Sequence, residues 1–117
     1  MQTKAIENLN AASCLLEQKY LNASASRLYY SVYQIAVYCL EKSGIKPNEL
    51  DEKATDWKHS IIVGNGRLIR DNPNDRALIK VLLDLKIRAD YTNIPVEEAT
   101  IKERLNEASN FVKELAE

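Results

Sequence analysis

The stretch that decides the fold covers residues 24–43 and reads SASRLYYSVYQIAVYCLEKS. Its apolar side chains recur at helical spacing and cover most of the circumference of the predicted helix. One narrow polar stripe remains, which comprises Arg27, Ser31, Gln34, Tyr38 and Glu41. A helix that is apolar nearly all round is usually surrounded by other helices, so we expect this one to be central. Ser24 is its expected N-cap, and Gly44 its expected C-terminal stop.

The rest of the chain predicts further helices and no strand. Apolar residues recur at helical spacing over four more segments, at about residues 4–20, 51–69, 75–91 and 95–116. The 51–69 segment is the weakest, because Gly64 and Gly66 indicate either a break or the close approach of a neighbour. Pro95 suits the first turn of the last helix. We predict one all-α domain over residues 1–117, a four- to five-helix up-and-down bundle.

The composition excludes a membrane protein and a broadly basic nucleic-acid binder. The longest nearly apolar run, residues 35–40, is far shorter than the roughly 20 residues that cross a bilayer. We therefore expect no membrane association, no secretion signal and a cytoplasmic location. The net charge of −1 lacks the basic excess of a broad nucleic-acid footprint, although it permits a small local basic site.

The cysteines and the single histidine do not predict a metal centre. Cys14 and Cys39 lie inside apolar helical patterns, so we interpret them as reduced core residues and not as a disulfide. No Cys or His cluster has the spacing of metal ligands, and we expect neither a metal nor a cofactor.

Four residues at the end of an apolar helical segment, Arg88-Ala89-Asp90-Tyr91, predict a polar site. On a helical wheel Arg88 and Asp90 point about 200° apart, so each needs its own partner. The alternative is that Arg88 forms only an exposed ion pair with Asp84, one turn earlier. We expect Arg88 and Asp90 to be buried or at a subunit interface and hydrogen-bonded, because a buried charge requires a partner. Arg88→Ala should then change binding or assembly more than Lys86→Ala.

Tyrosines and the histidine supply the other candidates. Tyr29, Tyr30 and Tyr33 are more often core or interface aromatics than stacking surfaces for bases. His59 has no acidic or thiol companion in the sequence, so it is more often a surface or hydrogen-bonded residue than a catalyst. Nucleophilic triads and phosphate-binding glycine loops do not occur in the sequence.

Taken in order, these motifs resemble the HEPN family, named for higher eukaryotes and prokaryotes. The resemblance covers about residues 4–115 and depends on the tyrosine-rich segment 27–33, His59-Ser60, Arg88-Ala89-Asp90-Tyr91 and a long final helix with Ala99, Ala108 and Phe111. It implies a helical bundle that forms a homodimer with a polar site near the two-fold axis. It also implies a minimal nucleotidyltransferase partner and a role in toxin–antitoxin or defence modules.

Many members of that family are metal-independent ribonucleases, in which an arginine is followed after four to six residues by a histidine. This chain departs from the pattern, because Asn93, Ile94 and Pro95 occupy those positions after Arg88. None of them can carry a proton at neutral pH as an imidazole does. We expect little ribonuclease activity unless the fold brings His59 to Arg88.

Three interpretations of function follow. The first is a domain that binds nucleotide, RNA or a nucleotidyltransferase partner. The second is a ribonuclease toxin in which His59 and Arg88 form the catalytic pair. The third is a non-catalytic structural interaction module whose polar groups only set the helix register. The candidate binding residues are Arg27, Tyr29, Tyr30, His59, Arg88, Asp90 and Tyr91.

Overall fold

The computed structural model describes residues 2–51, 56–64 and 73–116, and these residues form six helices and no strand. The helices are α1 (Gln2–Glu17), α2 (Leu21–Lys42), α3 (Pro47–Leu50), α4 (His59–Gly64), α5 (Pro73–Tyr91) and α6 (Glu98–Ala116). The predicted all-α class is confirmed. The long helices α1, α2, α5 and α6 make up the bundle, and the short helices α3 and α4 lie in the connection between α2 and α5.

The second helix lies at the centre of the bundle, as its sequence predicts. It packs against α1, α4, α5 and α6. Six of its apolar side chains, Ala25, Leu28, Tyr29, Val32, Ile35 and Ala36, are completely buried. Burial of a large apolar side chain contributes about 1.5–3 kcal/mol, so this helix supplies much of the stability of the core.

The first and last helices run antiparallel beside α2. At one end the Gln2 side-chain amide donates to the carbonyl of Ala116, and at the other end Lys19 pairs with Glu98. The buried face of α1 follows from its sequence, because Ala5, Leu9, Ala12 and Leu16 recur at steps of four, three and four residues. On α6 the buried positions are Ile101, Ala108, Phe111 and Val112.

Helices α1 and α2 end in the same kind of hydrogen-bonded turn. After α2, Gly44 has a positive φ of 79°, its N–H donates to Glu41 O, and Ile45 N–H donates to Leu40 O. This is the Schellman pattern, and it confirms Gly44 as the stop. After α1 the same bonds form around Lys19, which has a φ of 67° although it is not a glycine.

Two predicted helix starts are wrong. The second helix begins at Leu21 and not at Ser24, which is completely buried inside it and donates its hydroxyl to Ala12 O at 2.7 Å. The serine therefore joins α1 to α2 and does not cap a helix end. The last helix begins at Glu98 and not at Pro95. Thr92 follows the end of α5, where its hydroxyl donates to Arg88 O and accepts from Ile94 N–H.

The weak segment 51–69 does not form one helix. Its described residues contain the short helix α4, whereas residues 56–58 are not helical. Residues 52–55 and 65–72, with Gly66, lie outside the described part of the chain. A Cβ at Gly64 would meet no heavy atom within 4 Å, so the close approach of a neighbour is not the reason for this glycine.

Both cysteines are free thiols, as predicted, but only one is shielded from solvent. Cys39 is half-buried, with its thiol 3.9 Å from the carbonyl of Leu115. Cys14 is exposed, so the prediction that it is a core residue is wrong. It lies two residues from buried Ala12 and therefore points to the other side of α1. No described helix is long and apolar enough to cross a membrane.

Candidate functional site

Three tyrosines of α2 surround the only histidine. Tyr29, Tyr30 and Tyr33 are one, three and four residues apart, so one side of α2 carries all three rings. His59 begins α4, and its ring centroid lies 5.3, 6.2 and 5.0 Å from the centroids of these three rings. Tyr29 is completely buried, whereas Tyr30, Tyr33 and His59 are half-buried. The sequence therefore supplies the tyrosines and the fold brings the histidine to them.

A short hydrogen bond fixes the protonation of His59. Its Nδ1 lies 2.7 Å from the hydroxyl oxygen of Tyr29. Burial, with smaller contributions from Tyr33 and Tyr30, raises the pKa of Tyr29 far above its usual value, so the phenol keeps its proton. A buried hydroxyl needs an acceptor, and Nδ1 is its one partner in the described residues. We assign Tyr29 as the donor, which places the proton of the neutral ring on Nε2.

The neutral state of His59 follows from its surroundings. Burial lowers the pKa of His59, and the positive charge of Lys86 lowers it further. The hydroxyl of Tyr33 donates to the carbonyl of Trp57, two residues before the histidine, and so holds the start of α4 against α2. Burial also raises the pKa of Tyr33, with Tyr30 and Asp56 contributing.

A buried lysine joins this cluster to α5. Only 6% of Lys86 is exposed, and its Nζ lies 3.1 Å from Asp90 Oδ2, to which the Ser26 hydroxyl of α2 also donates. The ammonium lies 5.5 Å from the ring centroid of Tyr30 and 5.1 Å from that of Tyr91. Burial opposes its charge, but Asp90, Tyr30 and Tyr91 outweigh that cost and raise the pKa of Lys86, so the lysine is charged at neutral pH.

We name this group the tyrosine–lysine site, and it comprises Tyr29, Tyr30, His59, Lys86, Asp90 and Tyr91. Its most exposed member is Tyr91, with 75% of its surface in solvent. The ring of Tyr91 contacts a fixed cation and leaves most of its area open. Such a ring can stack on a flat ligand, because cation–π contact and packing restrict its motion.

Two predicted site residues lie elsewhere. Arg27 is exposed and donates to Asn8 Oδ1 at 3.1 Å, while Asn8 donates to Gln34 Oε1 at 2.8 Å, so it belongs to the surface between α1 and α2. Arg88 is exposed and lines a groove between α5 and α6 with Asp84, Thr100 and Arg104. The alternative Asp84–Arg88 ion pair is not formed among the described residues.

The expectation that Arg88 and Asp90 are buried is wrong within one chain. Both residues are exposed, although the carboxylate of Asp90 accepts hydrogen bonds from Lys86 and Ser26. The helical wheel explains the exposure of Arg88, because Lys86 faces α2 and Arg88 points about 200° away from it. Asp90 lies about 40° from Lys86 on the same wheel, so its carboxylate reaches the ammonium. Their location at a subunit interface stays a prediction.

The ribonuclease interpretation required His59 to meet Arg88, and the single chain does not bring them together. His59 packs among the α2 tyrosines near Lys86, whereas Arg88 faces α6. The cation whose charge acts on the histidine is Lys86, which is already paired with Asp90.

Lys86 is the residue that sequence reasoning missed. It lies four residues after Leu82 and one after Leu85, both buried, so it belongs to the apolar stripe of α5. A lysine within such a stripe, with an aspartate four residues later, is the pattern of a buried ion pair. The sequence therefore contains the signal for Lys86, two residues before Arg88.

A comparison with protein families agrees with the helical architecture. No curated protein and no solved structure gives a significant match to the chain. The family model described as "HEPN domain" matches residues 2–117, which is nearly the whole sequence. On this match the chain belongs to the HEPN domain family.

Proposed function

We propose that this HEPN domain binds a nucleotide or single-stranded RNA at the tyrosine–lysine site and does not cleave it. The observation that carries the proposal is the exposed ring of Tyr91 above the buried ammonium of Lys86, 5.1 Å from the ring centroid. Every base has a π-face, and stacking on an aromatic side chain contributes about 1–3 kcal/mol per base.

The polar groups around Tyr91 support a bound base. Because Tyr29 binds Nδ1 of His59, the Nε2–H of that ring is available as a donor to a ligand. The ring of Tyr30 is half-buried beside the histidine. Asp90 has 31% of its side chain exposed and keeps acceptor capacity beyond its bonds to Lys86 and Ser26. An aromatic surface with one donor and one acceptor beside it suits a flat heterocycle.

The same geometry supports binding without cleavage. A general base needs a free lone pair, but Nδ1 of His59 accepts from Tyr29 and Nε2 carries the proton. The cation beside it, Lys86, is neutralised by Asp90. The exposed residues Asn93, Ile94 and Pro95 supply no acid–base group.

Binding of adenosine monophosphate to the parent protein and to two tyrosine variants tests the proposal. Tyr91→Ala removes the stacking surface and is expected to weaken binding at least about fivefold, which corresponds to about 1 kcal/mol. Tyr20→Ala is the matched control, because Tyr20 is an exposed tyrosine outside the site. If the parent and both variants bind adenosine monophosphate with equal affinity, the proposed function is contradicted.

A second candidate is the docking of a protein partner, a minimal nucleotidyltransferase in a toxin–antitoxin or defence module of the cytoplasm. The exposed apolar residues Ile87, Tyr91 and Ile94 at the end of α5 favour it. The same surface suits a second copy of the chain in a homodimer. Co-expression with a nucleotidyltransferase encoded beside the gene, and light scattering of the domain alone, separate the two partners. Ile87→Glu is expected to disrupt either complex, whereas Ile6→Glu on α1 is the control.

A further inference from the structure

The groove between α1 and α6 is lined by cations and neutral donors, without a carboxylate. Its polar lining is Asn10 and Ser13 of α1 with Lys102, Asn106, Ser109 and Lys113 of α6. Leu9 and Leu105 complete the wall, and the groove has a volume of about 390 Å³. Three other grooves of the described surface differ, because each contains at least one carboxylate: Asp75, Glu107 and Glu114 in one, Glu7 in the second and Asp84 in the third.

Most polar groups of this groove have no partner inside the described part of the protein. The side chains of Asn10, Ser13, Asn106 and Ser109 form no hydrogen bond within the described residues, and Lys113 forms no ion pair there. Lys102 shares Glu98 with Lys19 at one end of the groove, where its Nζ lies 3.5 Å from the Glu98 carboxylate. Lys19, Lys102 and Lys113 carry three positive charges against the one negative charge of Glu98, so the groove and its end are positive.

The spacing of the α6 residues makes one continuous stripe. Lys102, Asn106, Ser109 and Lys113 follow each other at steps of four, three and four residues, which keeps them on one side of the helix. The two lysines are about 16 Å apart along the axis at 1.5 Å per residue.

We propose that the α1–α6 groove binds the sugar–phosphate backbone of single-stranded RNA. Lys102 and Lys113 neutralise phosphates, and the amides and hydroxyls between them donate hydrogen bonds to phosphate and sugar oxygens. The choice of RNA as the occupant rests on the proposed function, whereas the charge and the unused donors are independent of it. The full ligand of the domain is then an oligonucleotide, of which a mononucleotide occupies only the tyrosine–lysine site.

The Lys102 end of the groove lies at the same end of the bundle as the tyrosine–lysine site. Lys19, just before α2, pairs with Glu98 at the start of α6, and Ser26 near the start of α2 bonds to Asp90 at the end of α5. One strand that stacks a base at Tyr91 can therefore continue toward Lys102.

The test is the salt dependence of binding a labelled single-stranded RNA of about ten nucleotides, followed by fluorescence anisotropy. The double variant Lys102→Gln/Lys113→Gln is expected to reduce the slope of log K against log salt by about 1.4, since each phosphate contact contributes about 0.7 on a single strand. The matched control, Lys46→Gln/Lys80→Gln, changes the net charge equally at exposed lysines outside the groove. An equal slope in both double variants would overturn the proposal.

Two further arms separate the outcomes. If adenosine monophosphate binds through Tyr91 but the groove variant binds RNA as the parent does, the groove inference fails and the proposed function stands. If RNA binding depends on the groove lysines but Tyr91→Ala does not change the affinity for RNA or for adenosine monophosphate, the proposed stacking site is contradicted and the proposed groove is supported. Polyglutamate that binds as tightly as RNA with the same lysine dependence would overturn the assignment of RNA.

Discussion

At the scale of single residues, the decisive feature is the ion pair between Lys86 and Asp90. The lysine is buried, whereas the aspartate has 31% of its side chain in solvent, so the two partners contribute unequally. Removal of the carboxylate charge leaves a buried ammonium without its partner, which costs more than the loss of an exposed charge.

We expect Asp90→Asn to lower the free energy of unfolding by about 2 kcal/mol, because a buried charge loses its counter-ion and a strong hydrogen bond. Asp84→Asn is the control on the same helix, and it should change stability by less than about 0.5 kcal/mol, since Asp84 is exposed and unpaired among the described residues. Urea unfolding at neutral pH measures both. Equal effects of the two variants would show that the ion pair is not structural.

His59 should make stability depend on pH. Its folded pKa is lowered below the ordinary value of 6.5, so between those two values the unfolded chain binds more protons than the folded one. Stability is therefore retained above about pH 6.5 and falls as the pH decreases toward the folded pKa. The variant His59→Gln keeps an acceptor for Tyr29 and lacks this titration. Urea unfolding between about pH 7.5 and 5 should show a smaller loss for the variant, and parallel curves would contradict the prediction.

Several site residues could be predicted from the sequence, and the errors have one geometric origin. The structure brings Tyr29, Tyr30, His59, Asp90 and Tyr91 together, all from the sequence-based list. The two arginines of that list are not among them. Arg27 of α2 bonds to Asn8 of α1, and the residue of α5 that faces α2 depends on the angle at which the two helices pack. A one-chain pattern contains neither the contact nor the angle.

At the scale of helices, the sequence predicts which segments are helical better than it predicts where they begin. The central position of α2 follows from its apolar circumference, and its end follows from Gly44. Its start was misplaced because Ser24 resembles an N-cap locally, whereas in the fold it bonds to Ala12 O of another helix. Long-range contacts of this kind are absent from a local pattern.

The turn after α1 offers a test at this scale. Lys19 occupies a left-handed conformation that costs an L-residue with a side chain about 1–2 kcal/mol, and glycine adopts it without that cost. Lys19→Gly and Lys19→Ala both remove the contact with Glu98, so the difference between them reports the backbone alone. We expect the glycine variant to be about 1 kcal/mol more stable than the alanine variant in thermal or urea unfolding. A more stable alanine variant would contradict the turn.

At the scale of the whole molecule, the chain is a helical HEPN domain whose single-chain geometry separates the arginine of the ribonuclease pattern from the only histidine. We expect purified protein to leave total RNA intact in the presence of a chelator. The reason is that His59 has no free lone pair, since Nδ1 accepts from Tyr29 and Nε2 carries the proton, and that Asp90 neutralises the charge of Lys86. His59→Ala is the control, since cleavage by the parent that is lost in this variant would establish the ribonuclease interpretation.

Binding of a nucleotide at the tyrosine–lysine site is tested most directly by an NMR titration of the ¹⁵N-labelled domain with adenosine monophosphate. We expect saturable shifts concentrated at Tyr30, His59, Lys86 and Tyr91, with the amide of Asn8, which binds the Arg27 side chain, unchanged. Shifts that appear instead around Asn8, or around Thr100 in the groove that Arg88 lines, or no saturable shifts at millimolar nucleotide, would contradict binding at this site.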